Sequence, residues 1–274
     1  MPEARIHLDG RLSGKAALVT GASRGIGAAI AARLAMEGAR VAVTARTEAE
    51  GESRLPGALA ETVAHIRDAG GVAHAIKADL AQAADRERLA REARAAVGPI
   101  DILVNNAAIT YFAPVAEFTE KRFKLMMEVQ VWAAFHLSQL VLPDMRDRGR
   151  GWIVNISSGA GLHPKPPYRG GGGTVYGMCK AALERFTTGL ASEAAADGIA
   201  VNVVSPGLVA TPGVALHGLI NDATRDRVQP IKFIAEAVYQ LASGSPATLT
   251  GRIAYAEPLL AELGVEPAEL ISGF

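Results

Sequence analysis

Short runs rich in valine and isoleucine alternate along this chain with longer stretches of helical periodicity, and that alternation limits the fold more than any other feature. It is the rhythm of a parallel sheet covered by helices on both faces. Strands are predicted at Ala16–Thr20, Arg40–Thr44, Val72–Ala78, Ile102–Val104, Trp152–Ile156, Ala200–Val204 and Arg252–Tyr255. Helices are predicted at Ile26–Glu37, Leu59–Ala69, Asp85–Ala96, Thr119–Arg148, Thr174–Asp197 and Ile231–Ala242. Several end in a glycine just past the last turn, as in Glu37-Gly38, Ala69-Gly70 and Asp197-Gly198. The expected fold is therefore α/β: a single Rossmann-like, doubly wound parallel sheet of about seven strands with helices on both faces. No repeat and no linker divides the 274 residues, so 1–274 reads as one domain.

Two segments depart from the rhythm, Gly161–Gly173 with its prolines and four consecutive glycines, and Gly207–Val228. The charge-rich stretch Asp85–Arg94 reads most simply as a solvated helix face. Val131–Pro143 is the longest apolar run, but His136, Ser138 and Gln139 interrupt it and it is too short to cross ~30 Å of hydrocarbon. It is expected to be a buried or interface helix, with no membrane partner. Twenty-eight basic residues balance 28 acidic ones, which argues against a nucleic-acid partner. Cys179 is the single cysteine and the first 14 residues lack an apolar export signal, so a cytoplasmic location is expected. The six histidines have no metal-ligand spacing, and no metal is expected.

Directly after the first strand comes Thr20-Gly21-Ala22-Ser23-Arg24-Gly25-Ile26-Gly27, which opens a helix. Glycines there permit a tight turn and a close approach to a pyrophosphate, and the helix N-terminus offers free N–H groups to it. An acid at the end of the second strand would bind the ribose of NAD, but Thr44-Ala45-Arg46-Thr47 stands there. Arg46 is either a solvated surface arginine or, with Arg24, the partner of a 2′-phosphate. The missing acid favours NADP(H), with NAD the weaker expectation.

Tyr176 and Lys180 are four residues apart on one helix face. A tyrosine that exchanges protons near neutrality needs a cation favouring its phenolate, which Lys180 could supply. Ser157 and Ser158 end the fifth strand, where ligands bind in open α/β sheets.

Taken in order, these motifs resemble the short-chain dehydrogenase/reductase family over roughly residues 12–255. Asp79-Leu80, Asn105-Asn106-Ala107-Ala108 and Ser205-Pro206-Gly207 running to Thr211 complete the pattern. The resemblance implies that Tyr176 is the acid–base residue, that Ser158 holds the substrate oxygen and that Lys180 binds the nicotinamide ribose. It implies cofactor contacts at Gly21, Ser23, Arg24, Gly25, Ile26, Gly27 and Arg46. Asp79 would meet the adenine with Leu80 beside it, Asn105 and Ala107 would border the ribose, and Pro206, Gly207 and Thr211 would lie at the nicotinamide. Tyr168 is no alternative to Tyr176, because position 172 is glycine.

Three departures stand out. Gln130 occupies the place of the asparagine that completes the family's catalytic tetrad, so a proton relay through Lys180 is either rearranged or replaced by the backbone at a helix distortion. The interval from Ser158 to Tyr176 is long, and residues 256–274 have no assignment. Thr110-Tyr111, His163 and the Gly207–Val228 segment are the expected pocket lining, with Tyr111 and His163 as substrate contacts. The whole reads as an NADP(H)-dependent oxidoreductase acting on a carbonyl/secondary-alcohol pair, and as a homo-oligomer, dimer or tetramer. The rivals are a 3-oxoacyl-thioester reductase and a catalytically idle dinucleotide-binding redox sensor.

Overall fold

The computed structural model describes residues 4–166 and 171–274, so Pro167, Tyr168 and Gly170 lie outside the described residues. Seven strands form one sheet in the order β3-β2-β1-β4-β5-β6-β9, every neighbouring pair parallel. They are β1 (Ala16–Thr20), β2 (Arg40–Ala45), β3 (Val72–Lys77), β4 (Ile102–Asn105), β5 (Gly151–Ile156), β6 (Ile199–Ser205) and β9 (Ile253–Tyr255). All five residues of β1 are buried, with Ala17 and Val19 in the core on one face and Ala16 and Leu18 in the core on the other. Burial on both faces is what a central parallel strand demands. The edge strand β3 instead buries only Ala73 and Ile76.

The first core packs α1 (Gly25–Met36), α2 (Leu59–Asp68), α8 (Ile231–Ser243) and α9 (Ala256–Leu263) on the sheet. The second packs α3 (Ala83–Val97), α5 (Ala133–Asp147) and α6 (Thr174–Ala194) on the opposite face. Seven of the 12 residues of α1 are alanine or glycine, which lets it lie close to both the sheet and α8. Its one buried charge, Arg33, is paired with Glu236 of α8 (2.6 Å) and Glu37 (2.8 Å) and lies over the Tyr239 ring at 4.0 Å. Removing Arg33 would leave Glu236 as an uncompensated charge in the core, at a cost of about 3–5 kcal/mol.

Four expectations change. Within Asp85–Arg94, Arg86 is fully buried rather than solvated: its guanidinium donates to Glu128 (2.7 Å) and His136 (3.0 Å) and so pins α3 to the neighbouring helix. The predicted helix Thr119–Arg148 is α4 (Glu120–Met127) and α5 joined by a π-helical turn at Glu128–Trp132. That run, Glu120–Asp147, is long and apolar enough by length and composition to cross a membrane, unlike Val131–Pro143 alone. Its inner face, including Leu137, Val141 and Met145, belongs to the second core. The Gly207–Val228 segment is not wholly irregular, since it holds a parallel ribbon of β7 (Leu208–Val209) and β8 (Val228–Gln229) and the short α7 (Pro212–Leu216). Residues 256–274 are part of the core: Leu259, Leu260 and Ile271 are buried, and the Phe274 ring meets His65 edge-on.

Candidate active site

Strand order reverses at β1 and β4, so a crevice opens beyond their C-terminal ends, where open α/β sheets bind ligands. The glycine turn lies there, and its shape is dictated by missing atoms. Gly21 has φ +65°, and a Cβ on Gly27 would stand 2.3 Å from the Gly21 carbonyl oxygen. The turn is clasped to the end of β4. Asn106 Nδ2 donates to the carbonyls of Thr20 (2.8 Å) and Gly21 (3.1 Å), and Thr20 Oγ1 accepts from the backbone N–H groups of Asn106 and Ala107. Ser23 is buried in the turn, and Ile26 packs against the first core. Helix α1 starts without a side-chain cap and without an acid in its first turn, leaving its N-terminus suited to an anion.

Arg24 and Arg46 differ. Arg46 is exposed just beyond β2, whereas Arg24 is held by the long loop that follows it, donating to Ser53 Oγ (3.2 Å) and the Gly57 carbonyl (2.6 Å). Burial draws the Arg24 guanidinium below its ordinary value, with Glu50 and Glu61 pulling the other way. Arg24 Nε is buried without a partner among the described residues. Asp79 follows β3 and accepts from Ala81 N–H, with Leu80 buried beside it. Asn105 is turned inward, donating to Asn155 Oδ1 (2.9 Å). Pro206 and Gly207 follow β6, Gly207 with φ +74°, and Thr211 reaches across to Gly25, its methyl 3.3 Å from where a Cβ would be.

Three successive residues at the end of β5 meet α6. The Lys180 ammonium donates to the Ile156 carbonyl (2.9 Å), Ser157 Oγ donates to Glu184 Oε1 (2.6 Å), and Ser158 hydrogen-bonds Tyr176. Burial pushes the Tyr176 phenol up, and the Ser158 hydrogen bond draws it partly back. Lys180 is not among the groups that shift the Tyr176 phenol; its Nζ lies 5.5 Å over the tyrosine ring and is tied to Ile156. Burial also brings Lys180 down to about 8, against the pull of Cys179 and Glu184. Gln130 is buried in the π-helical turn, with Nε2 donating to Ile109 O (2.8 Å) and Oε1 unpartnered among the described residues. Gln130, Lys180, Asn105, Ala107 and Thr20 border a cavity of about 10 Å³, room for one water.

An aromatic ring besides the expected Tyr111 and His163 stands at the tyrosine. Tyr111 packs with Met126, Val175 and Cys179, with Arg122 over its ring, and His163 is exposed. Phe112 instead meets Tyr176 edge-on, ring centroids 6.0 Å apart, and His217 at 5.0 Å. Gly172 closes on this segment, accepting from Ala113 N–H, and a Cβ there would strike the Ala113 backbone at 2.8 Å. Phe112 carries no sequence signal, and His217 was expected only as part of the Gly207–Val228 lining, because three separate segments bring them together. Asn106 and Glu184 were within reach: one stands in the Asn-Asn motif, the other one turn after Lys180.

The sequence model described as short chain dehydrogenase matches residues 15–222. The chain belongs to the short-chain dehydrogenase family. It is 34% identical over 246 residues to the 3-oxoacyl-[acyl-carrier-protein] reductase of Haemophilus influenzae, covering 88% of this chain and 95% of that one. A variant of a Serratia marcescens short-chain dehydrogenase/reductase superposes with a TM-score of 0.76 at 35% identity, covering 88% and 95% of the two chains. The NADP-bound 3-oxoacyl (acyl-carrier-protein) reductase of Agrobacterium tumefaciens superposes at 0.75 with 30% identity, over 92% and 93%. As a short-chain dehydrogenase, this protein is an oxidoreductase with a Rossmann-like sheet.

Proposed function

We propose that this dehydrogenase interconverts a carbonyl and a secondary alcohol with NADP(H), and does so in the cytoplasm. The observation that carries the reading is the meeting of Ser158, Tyr176 and Lys180 where β5 opens onto the crevice. The crevice fits a dinucleotide phosphate: Gly21, Gly25 and Gly27 leave a cradle that side chains would fill, and the uncapped start of α1 faces it. Arg46 and Arg24 would hold the 2′-phosphate, Asp79 and Leu80 the adenine end, Asn105 and Ala107 the ribose, and Pro206, Gly207 and Thr211 the other end. Bound there, NADPH supplies the hydride.

In reduction, Ser158 Oγ holds the carbonyl oxygen, and Tyr176 gives its proton to the nascent alkoxide. A phenol raised by burial keeps its proton near neutrality, which suits a donor. Lys180, near 8, is largely charged at neutral pH and steadies the phenolate that remains. Phe112 and His217 wall the approach to Tyr176.

Tyr176→Phe tests the reading. Turnover should fall by at least about 10²-fold while NADPH binding, measured by fluorescence, is retained. Wild-type turnover in the variant removes Tyr176 from the chemistry.

The relatives named as 3-oxoacyl reductases favour a second substrate reading, an acyl thioester, and comparing kcat/KM for a thioester and a simple ketone decides between them. A second copy of the chain is read onto the outer face of α5 and α6. Phe135 and Phe186 lie 5.3 Å apart beside a groove of about 680 Å³ that Leu142, Leu190 and Arg146 also line. Whether dimer or tetramer, this face would be its seam.

A further inference from the structure

The end of β5 is fastened to α6 by three rungs, and only two belong to the residues assigned above. Ile156 is held by Lys180, Ser158 by Tyr176, and between them Ser157 by Glu184. Tyr176, Lys180 and Glu184 are spaced four apart, so they share one face of the helix, and each turn takes hold of one strand residue. The Glu184 contact is short, 2.6 Å, and Ser157 is buried.

A second observation shows that the fit is built around this carboxylate. A Cβ on Gly161 would stand 2.8 Å from Glu184 Oε1, so the bare Gly161 lets the turn Gly159–Gly161 lie against α6 without displacing the carboxylate from Ser157. That turn also fixes Ser158: its carbonyl accepts from Gly161 N–H (2.9 Å) and its hydroxyl from Ala160 N–H (3.2 Å). Glu184 thus touches the residue before Ser158 and the residue three after it.

We propose that Glu184 is a positioning residue of the active site, its carboxylate fixing the Ser157–Gly161 segment and so the place of Ser158 against Tyr176. This rests on the reading that Ser158 and Tyr176 handle the substrate oxygen. A mere brace of the fold would affect stability alone. A positioning carboxylate affects kcat, and it has an electrostatic signature. The titratable groups facing Lys180 are Tyr176, Cys179 and Glu184, all on its own helix; the β5, β4 and π-turn neighbours, the Ile156 carbonyl, Asn105 and Gln130, carry no charge. Glu184 favours the ammonium form, so neutralising it lets Lys180 fall further below about 8.

The test compares Glu184→Ala, Glu184→Gln and Ser157→Ala in the full chain. Glu184→Ala and Ser157→Ala each remove the rung, and kcat should fall about 10-fold, as for a lost hydrogen bond to a charged group, with the NADPH dissociation constant unchanged. Glu184→Gln keeps an acceptor for Ser157, so kcat at neutral pH should recover, but the basic limb of its pH profile should move to lower pH. In Ser157→Ala, which keeps the charge, that limb should stay. Wild-type kcat in both rung-breaking variants overturns the proposal, as does an unmoved basic limb in Glu184→Gln. If Glu184→Ala does not fold, Ser157→Ala and Glu184→Gln carry the same decision.

A reading independent of turnover separates this proposal from the reductase assignment. The Tyr176 signal, isolated by difference ultraviolet titration against Tyr176→Phe, should move up in Ser157→Ala as the Ser158 hydrogen bond weakens. That shift in a protein that reduces no carbonyl would fault the reductase assignment and leave Glu184 in its place; no shift removes the positioning role whatever the substrate.

Discussion

The two sides of the crevice are made differently. On the cofactor side, around β1, α1 and the end of β4, the shape comes from backbone and from absent side chains: Gly21 at positive φ, Gly27 with no room for a Cβ, and the Asn106 clasp. On the substrate side it comes from rings and loops, with Phe112 between Tyr176 and His217 and Gly172 folded onto Ala113. A surface made of backbone tolerates almost no change, which under the proposed function suits the part that every dinucleotide shares. A surface made of side chains on loops can vary, which is where specificity is expected.

The sharpest way to break this contrast is at Gly27. An alanine would force its methyl against the Gly21 carbonyl and Asn106 Nδ2, both within 2.5 Å, and both are backbone or clasp rather than flexible tips. Gly27→Ala should cost about 1–3 kcal/mol of stability and abolish measurable NADPH binding. Calorimetric titration with a thermal melt checks it; a variant that binds NADPH normally would show that the turn is softer than its geometry implies.

The same contrast explains what could be read from the sequence. The strand–helix alternation and the glycine turn are local patterns enforced by burial and sterics, and all seven sheet strands start and end within a residue of their expected bounds. Tyr176 and Lys180 were legible because a helix fixes residues four apart. Phe112 was not, and His217 only as one residue of the Gly207–Val228 lining, since the two are 105 residues apart and meet only through the loops. Arg86 looked solvated because its neighbours are charged, yet its partner Glu128 lies 42 positions away. Residues 256–274 carried a usable signal in Leu259, Leu260 and Gly264, which takes a positive φ, but the family resemblance ends near residue 255 and gave them no assignment.

A second, intermediate effect falls at the rim of the cofactor side, where side chains take over from backbone. Arg46 is exposed and unsupported, whereas Arg24 is held by Ser53 and Gly57. Arg46→Asp should weaken NADPH by about 10–100-fold, by placing a carboxylate where the 2′-phosphate would lie, and should leave NADH within about twofold. Dissociation constants for both cofactors decide it. A wild type that binds NADH at least as tightly as NADPH removes the preference for the phosphate.

The smallest effect is expected where the two sides join, at Gln130. Its cavity is bordered by Thr20 and Asn105 from the cofactor side and by Lys180 from the catalytic side. Its Nε2 is already engaged by the Ile109 carbonyl, leaving Oε1 as the free acceptor at a cavity of one-water size. Gln130→Ala removes the donor to the part-buried Ile109 carbonyl, at about 1 kcal/mol, so melting should fall by a few degrees. Turnover should fall by about threefold to tenfold if the amide passes a proton toward Lys180, while NADPH affinity stays as it was. Gln130→Asn separates the two duties, because asparagine is one methylene shorter: it can still border the cavity but reaches Ile109 poorly. Turnover near wild type with lowered melting is the expected result. If Gln130→Ala turns over normally, the side chain is no relay, and the π-helical turn contributes through its backbone alone.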